Sequence, residues 1–198
     1  MIEHRRSCIP DLITLARPPL TLLFVGLIRR EAWSIALPVF LCICLTDLLD
    51  GAAARALQSS TRLGACMDVA FDLYYVTVSL AVLNARGLAP VWFSGITALK
   101  FAEFAATSAW LQGRRNEKSI WVFDPPGRCY GVCVFLAPGA FCAAAVWPAA
   151  APACLILSVL TCAVGAVSSA NRIKQCIRFR GRNNTVYPAK ARLIASRY

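Results

Sequence analysis

Apolar stretches of about 20 residues recur from one end of the chain to the other, each long enough as a helix to cross a hydrocarbon core of roughly 30 Å. Lipid offers no hydrogen bonds to an exposed backbone, so stretches of this kind are expected to be helices that satisfy themselves. A hydrophobic content of 58% and a mean hydropathy of +0.58 exclude an ordinary soluble domain. The predicted fold class is an all-α integral membrane protein with six transmembrane helices, at about 11–29, 33–56, 64–85, 88–111, 128–147 and 152–176. Asp11, Arg17 and Pro18-Pro19 interrupt the first stretch. Residues 9–17 are therefore read as a short interfacial amphipathic helix, with the crossing proper after it. The broken apolar core, with no small-residue cleavage site after it, argues against a signal peptide.

The net charge of +11 is unevenly spread. Arg5 and Arg6, Arg55 and Arg62, Arg114, Arg115 and Lys118, and eight basic residues from Arg172 onward mark alternate junctions. The other junctions carry Arg29 and Arg30, then Arg86, then no charge in "WPAAAP". The positive-inside bias thus puts both termini in the cytoplasm. Residues 1–176 read as one membrane domain and 177–198 as a basic cytoplasmic tail that touches anionic headgroups. Nucleic acid is not an expected partner, because no base-stacking module accompanies the charge.

Within this oil lies "CLTDLLDGAAARALQSSTRLGACMDVAFDLYY". Asp47 and Asp50 are spaced i, i+3 on one predicted helix, and Asp68 and Asp72 are spaced i, i+4 on the next. Each pair shares a helix face. The short polar link "LQSSTR" predicts an antiparallel hairpin, with both pairs roughly 10 Å from the turn at ~1.5 Å per residue. Four carboxylates in one pocket cannot all ionise unaided, and the neighbouring spans carry too few basic side chains at that depth to neutralise them. Divalent cations would, and oxygen-only ligands suit Mg²⁺ or Mn²⁺. Two cations some ~4 Å apart would clamp an in-line displacement at phosphorus. Gly51, Ala54 and Gly64 leave room for a phosphorylated ligand, and Arg55 at the rim can take phosphate oxygens.

In full the pattern is Asp47-x2-Asp50-Gly51-x2-Ala54-Arg55-x8-Gly64-x3-Asp68-x3-Asp72. It resembles the signature of the CDP-alcohol phosphatidyltransferases at every position and interval. Upstream, "IPDLITLAR" is similar to that family's Pro-Asn-x-Ile/Leu-Thr-x-x-Arg segment, with Asp11 where Asn is usual. Downstream, "PPGRCYG" offers Arg128 where the glycerol-phosphate-using branch often carries Gly-Lys-x-Lys-Thr.

The resemblance implies transfer of a phosphatidyl group from CDP-diacylglycerol to the hydroxyl of a small alcohol, with release of CMP, in a homodimer. It implies that Asp47, Asp50, Asp68 and Asp72 hold two divalent cations and that Asp72 also takes the acceptor's proton. Gly51, Ala54, Arg55, Thr61 and Gly64 would surround the CDP group. Phosphatidylglycerophosphate is the expected product, with inositol phosphate or serine as alternative acceptors. A small ion-coupled transporter using the quartet as its cation site is the alternative from another class. The expected location is the bacterial inner membrane, with the active site facing the cytoplasm.

Outside the motif, Lys100 and Glu103 are i, i+3 at membrane depth and read as a self-neutralising pair ahead of an acceptor-pocket role. Arg128 stands evenly between a topology charge and a grip on an acceptor phosphate. The cysteines inside the spans read as small hydrophobes. Gly127-x3-Gly131 has the spacing of a helix-dimer seam.

Overall fold

The computed structural model describes residues 15–57, 62–115 and 124–195. They form six α-helices and no strand: α1 (Arg17–Arg29), α2 (Trp33–Leu57), α3 (Arg62–Ala85), α4 (Val91–Arg115), α5 (Pro125–Val146) and, after a 3₁₀ turn at Pro148–Ala150, α6 (Ala151–Ala195). The predicted interfacial helix at 9–17 lies almost wholly outside the described residues.

Among the described residues four segments are long and apolar enough to cross a bilayer: Trp33–Ala52, Cys66–Ala85, Pro125–Val146 and Pro148–Arg178. The other two helices fall short for different reasons. At 13 residues α1 spans about 20 Å, less than a full hydrocarbon core. Helix α4 has the length, with 25 residues, but carries Lys100 and Glu103 in its middle. The surface is inverted relative to a soluble protein: Leu48 (67%), Leu99 (71%) and Leu41 (62%) are exposed, while Arg17 and Arg172 are buried. Apolar residues outward and charges inward describe an integral membrane protein.

Prolines 18 and 19 do not break α1; they sit in its first turn, where an amide donor is not required. The helix buries Arg17, Thr21, Phe24, Val25 and Ile28, a stripe of helical spacing. That helix packs on both α2 and α3, which among the described residues make few direct contacts with each other. The two acidic helices are successive in sequence and bring their carboxylates together as expected, with α1 wedged against both. Phe24 carries the wedge, with ring centroids 6.2 Å from Phe40 of α2 and 6.1 Å from Tyr75 of α3.

Helix α5 is the hub, touching α2, α3 and α6. A Cβ at Gly139 would come within 2.2 Å of the Phe40 ring, so glycine there sets the approach of α2 to α5. Gly87, at φ +70°, ends α3, with Leu88 donating to the Leu83 carbonyl and Gly87 to that of Asn84. Glu31 takes the same left-handed role after α1 at φ 57°, and Arg86 binds both Glu31 and the Arg29 carbonyl. The α1–α2 and α3–α4 turns are thus stapled together at one end of the bundle.

Candidate active site

The four acids converge. Arg17 Nη2 donates to Asp47 Oδ1 and Asp50 Oδ2, each at 2.8 Å. Its Nη1 donates to Asp68 Oδ1 at 3.0 Å and Asp72 Oδ1 at 2.5 Å. The guanidinium is fully enclosed, and Thr21 steadies its backbone by donating to the Arg17 carbonyl at 2.9 Å. Too few basic side chains to neutralise the quartet were expected at this depth, and Arg17 reaches it. With the helix started at Arg17, the spacing puts Arg17, Thr21, Phe24 and Ile28 on one stripe, of which Phe24 and Ile28 are core residues by type. The sequence reading placed Arg17 at the end of the family-like entry segment and as an interruption of the first apolar stretch, without bringing it to the four acids.

One guanidinium offsets one of four charges. Two carboxylates ~5 Å apart repel by about 3 kcal/mol at an effective dielectric of ~20, so the remaining charge calls for further cations or protons. The donors fit a hard divalent cation: one oxygen each from Asp47, Asp50 and Asp68 lie within 4.8 Å of one another. Asp72 falls outside that trio. The four also differ in access. The Asp50 side chain is nearly closed off at 7%, whereas Asp72 is 30% exposed.

Asp47, Asp68 and Asp72 form one wall of a cavity of about 430 Å³. Most of the remaining lining is apolar, including Val76, Phe101, Phe135 and Leu136, and Lys100 is the basic side chain among the described lining residues. Lys100 reaches Glu103 at 2.9 Å, as its spacing predicted, and also Ser169 of α6 at 2.8 Å. The two readings of Lys100 are therefore compatible, since it is paired and also lines the cavity.

A second buried network ties down the far wall. Arg172 of α6 donates from Nε to Thr107 at 2.8 Å and from Nη2 to Ser108 at 2.9 Å and the Phe104 carbonyl at 3.2 Å. Its Nη1 lies 3.7 Å from Asp124. Asp124 caps α5 by accepting from the Gly127 amide and also accepts from Ser168 at 3.1 Å. A Cβ on Gly127 would meet Asp124 at 2.5 Å and Ser168 at 3.0 Å. This glycine is thus packed within the chain, whereas a Cβ on Gly131 would meet nothing within 4 Å.

Gly51 directly follows Asp50 in α2, and Gly64 lies in the first turn of α3. Ala54 and Arg55 belong to the last turns of α2, and Thr61 lies outside the described residues. Arg128, in the first turn of α5, is exposed and is not part of the cavity wall.

Comparison with known proteins agrees with this architecture. The sequence model of the CDP-alcohol phosphatidyltransferase family matches residues 7–170. A Mycobacterium tuberculosis protein proposed as a cardiolipin synthase is 35% identical over 97 residues, 47% of this chain and 45% of the relative. The CDP-diacylglycerol–glycerol-3-phosphate 3-phosphatidyltransferase of Aquifex aeolicus is 35% identical over 72 residues, 36% of this chain and 40% of the relative. That of Pseudomonas fluorescens is 38% identical over 78 residues, 38% and 40% respectively. The chain thus spans under half the length of the curated relatives it matches. A family match across most of the chain, with all four motif acids gathered round one point in a membrane bundle, places the protein in the CDP-alcohol phosphatidyltransferase family.

Proposed function

We propose that this membrane protein transfers a phosphatidyl group from CDP-diacylglycerol to the hydroxyl of glycerol 3-phosphate, forming phosphatidylglycerophosphate and releasing CMP. The observation that carries the reading is the meeting of four carboxylates from two helices at the edge of a largely apolar cavity. The Aquifex and Pseudomonas relatives bear the name of this reaction. The ion-coupled transporter alternative draws no support from the family.

Asp47, Asp50 and Asp68 would hold the divalent cations, Mg²⁺ or Mn²⁺ and two in number, with Asp72 contributing to the second. Bound there, the cations would offset the pyrophosphate charge and make the phosphorus open to attack. Asp72, outside the tight trio and open to the cavity, accepts the proton as the acceptor oxygen attacks phosphorus and the bond to CMP breaks. Gly51, Ala54, Arg55, Thr61 and Gly64 receive the CDP group. Lys100, in the cavity wall, and Arg128, near its rim, are the two candidates for the acceptor's phosphate. The apolar walls exclude water that would otherwise compete with the acceptor.

The topology that serves this reaction has six crossings, with α1 and α4 admitted because their charged side chains pair inside the bundle, Arg17 with the four aspartates and Lys100 with Glu103. The active site, both termini and the basic tail at 177–198 then face the cytoplasm, at the inner membrane of a bacterium, and the protein works as a homodimer. The acceptor is tested with purified protein, CDP-diacylglycerol, Mg²⁺ and a panel of glycerol 3-phosphate, phosphatidylglycerol, inositol phosphate and serine. CMP release that depends on glycerol 3-phosphate supports the proposal. Release with phosphatidylglycerol alone would favour cardiolipin as the product, the reading suggested by the mycobacterial relative. Cation flux without CMP release would remove the enzyme altogether.

A further inference from the structure

We propose that Arg17 is an exchangeable counter-ion built into the site, and that a divalent cation loads by displacing its guanidinium from Asp47, Asp50 and Asp68. The inference rests on the metal-dependent reading above and goes beyond it by giving a role to a residue outside the Asp-Gly-Arg motif.

Three observations support the exchange. First, the guanidinium and a cation would claim the same three aspartates: Arg17 holds one oxygen of each of Asp47, Asp50 and Asp68, and those three residues form the compact oxygen cluster. Second, the hold is electrostatic rather than stereochemical. Arginine binds a carboxylate most strongly through two parallel bonds to one partner. Here each of the four contacts joins one Nη to one oxygen of a different aspartate, and the buried Nε has no hydrogen-bond partner. Third, Arg17 is the first residue of α1. It reaches the acids from a helix end, where a side chain can be re-aimed without disturbing the Phe24 and Ile28 packing farther along.

The physical consequence is a linkage. Without a counter-ion the clustered acids would repel one another and splay, so Arg17 keeps α2 and α3 in register whenever metal is scarce. When metal binds it must first overcome that pairing, and apparent affinity falls by the fraction of molecules in which the carboxylates are free. Released, the guanidinium remains beside the cations, where a pyrophosphate brings new negative charge.

The test uses the full chain in detergent, stripped of metal with chelator and titrated with Mn²⁺ while free Mn²⁺ is followed by electron paramagnetic resonance. Arg17→Met should bind Mn²⁺ about tenfold more tightly than the wild type, or tighter still. The stripped variant should melt earlier than the stripped wild type and regain stability with Mn²⁺. Equal or weaker Mn²⁺ binding by a folded Arg17→Met would overturn the exchange. If that variant does not fold, the wild type decides: phenylglyoxal labelling of Arg17, read by peptide mass spectrometry, should rise when Mn²⁺ is added. Unchanged labelling would refute displacement. Asp50→Asn separates the two levels of the argument. Should wild type and Asp50→Asn bind Mn²⁺ equally poorly, the metal-dependent function falls and this inference with it. Should the wild type bind and Arg17→Met bind no tighter, only the exchange falls.

Discussion

Arg17 Nη1 stands 2.5 Å from Asp72 Oδ1, the shortest of the four contacts that gather the acids round one guanidinium. Asp72 differs from the others in lying outside the compact trio while facing the cavity, which is where a proton acceptor for an incoming hydroxyl has to be. Asp72→Asn keeps the shape and one acceptor oxygen but loses the basicity. Turnover should fall by about 10²–10⁴-fold, the usual contribution of a positioned base, while binding of CDP-diacylglycerol survives. CMP release at the wild-type rate would remove Asp72 from that role.

Asp50 is the least accessible of the quartet, so its charge is the hardest for solvent to relieve. Exhaustive chelation should abolish CMP release, and Mg²⁺ or Mn²⁺ should restore it to the wild-type protein but not to Asp50→Asn. Ca²⁺, with longer and more numerous oxygen contacts, should restore less. Activity that persists after metal removal would argue against divalent cations at the quartet.

Much of the fold was legible because lipid reduces the choices: a long apolar stretch must become a helix, and predicted edges such as 33–56 and 64–85 lie within a few residues of Trp33–Leu57 and Arg62–Ala85. The meeting of the acids was legible from i, i+3 and i, i+4 spacing. The helix packed against both was not. Chain order suggested that α2 and α3 pack as a hairpin, since a short link favours neighbours, and only tertiary packing reveals α1 wedged across both. The contact of Arg17 with the acids was missed for a related reason. A charge beside two prolines resembles a break at the membrane edge, and its place on the buried stripe emerges only when the helix is started at Arg17 itself. The network of Arg172, Asp124 and Ser168 was beyond reach as well, because these residues are far apart in sequence and follow no motif.

Gly139 and Phe40 offer a test of the bundle that is independent of catalysis. A methyl group at Gly139 would overlap the Phe40 ring at 2.2 Å, and overpacking of this kind costs about 1–3 kcal/mol. Gly139→Ala should lower the melting temperature in detergent. Phe40→Leu alone should also destabilise by leaving space beside Phe24. The double variant should be more stable than the sum of the two losses predicts, because the smaller side chain admits the methyl. Strict additivity would mean that the helices do not approach at this point.

Removing Arg172 should be costly in a different way. It contacts Thr107, Ser108, the Phe104 carbonyl and Asp124 across three helices, and deleting one partner of a buried charge network costs about 3–5 kcal/mol. Arg172→Met should therefore melt well below the wild type. Arg172→Lys should recover little, because an ammonium cannot serve Nε and Nη partners in separate directions. Thermal unfolding followed by tryptophan fluorescence checks both, and a stable Arg172→Met protein would show that the network is peripheral.

The choice between Lys100 and Arg128 decides how an acceptor phosphate is held. Lys100 is buried at 8% exposure and in the cavity wall, where a contact with bound phosphate would be desolvated and strong. Arg128 is exposed, where solvent screens an ion pair to roughly 0–1 kcal/mol. Lys100→Met should therefore raise KM for glycerol 3-phosphate by about tenfold or more, with KM for CDP-diacylglycerol little changed. Arg128→Met should raise the acceptor KM only a few-fold. Because Lys100 also pairs with Glu103 at 2.9 Å, its removal strands that carboxylate, and Lys100→Met with Glu103→Gln separates the two effects. If the double variant regains wild-type acceptor KM, Lys100 serves only to neutralise Glu103 and the phosphate is held elsewhere. If acceptor KM stays high in a protein of restored thermal stability, the lysine itself grips the acceptor.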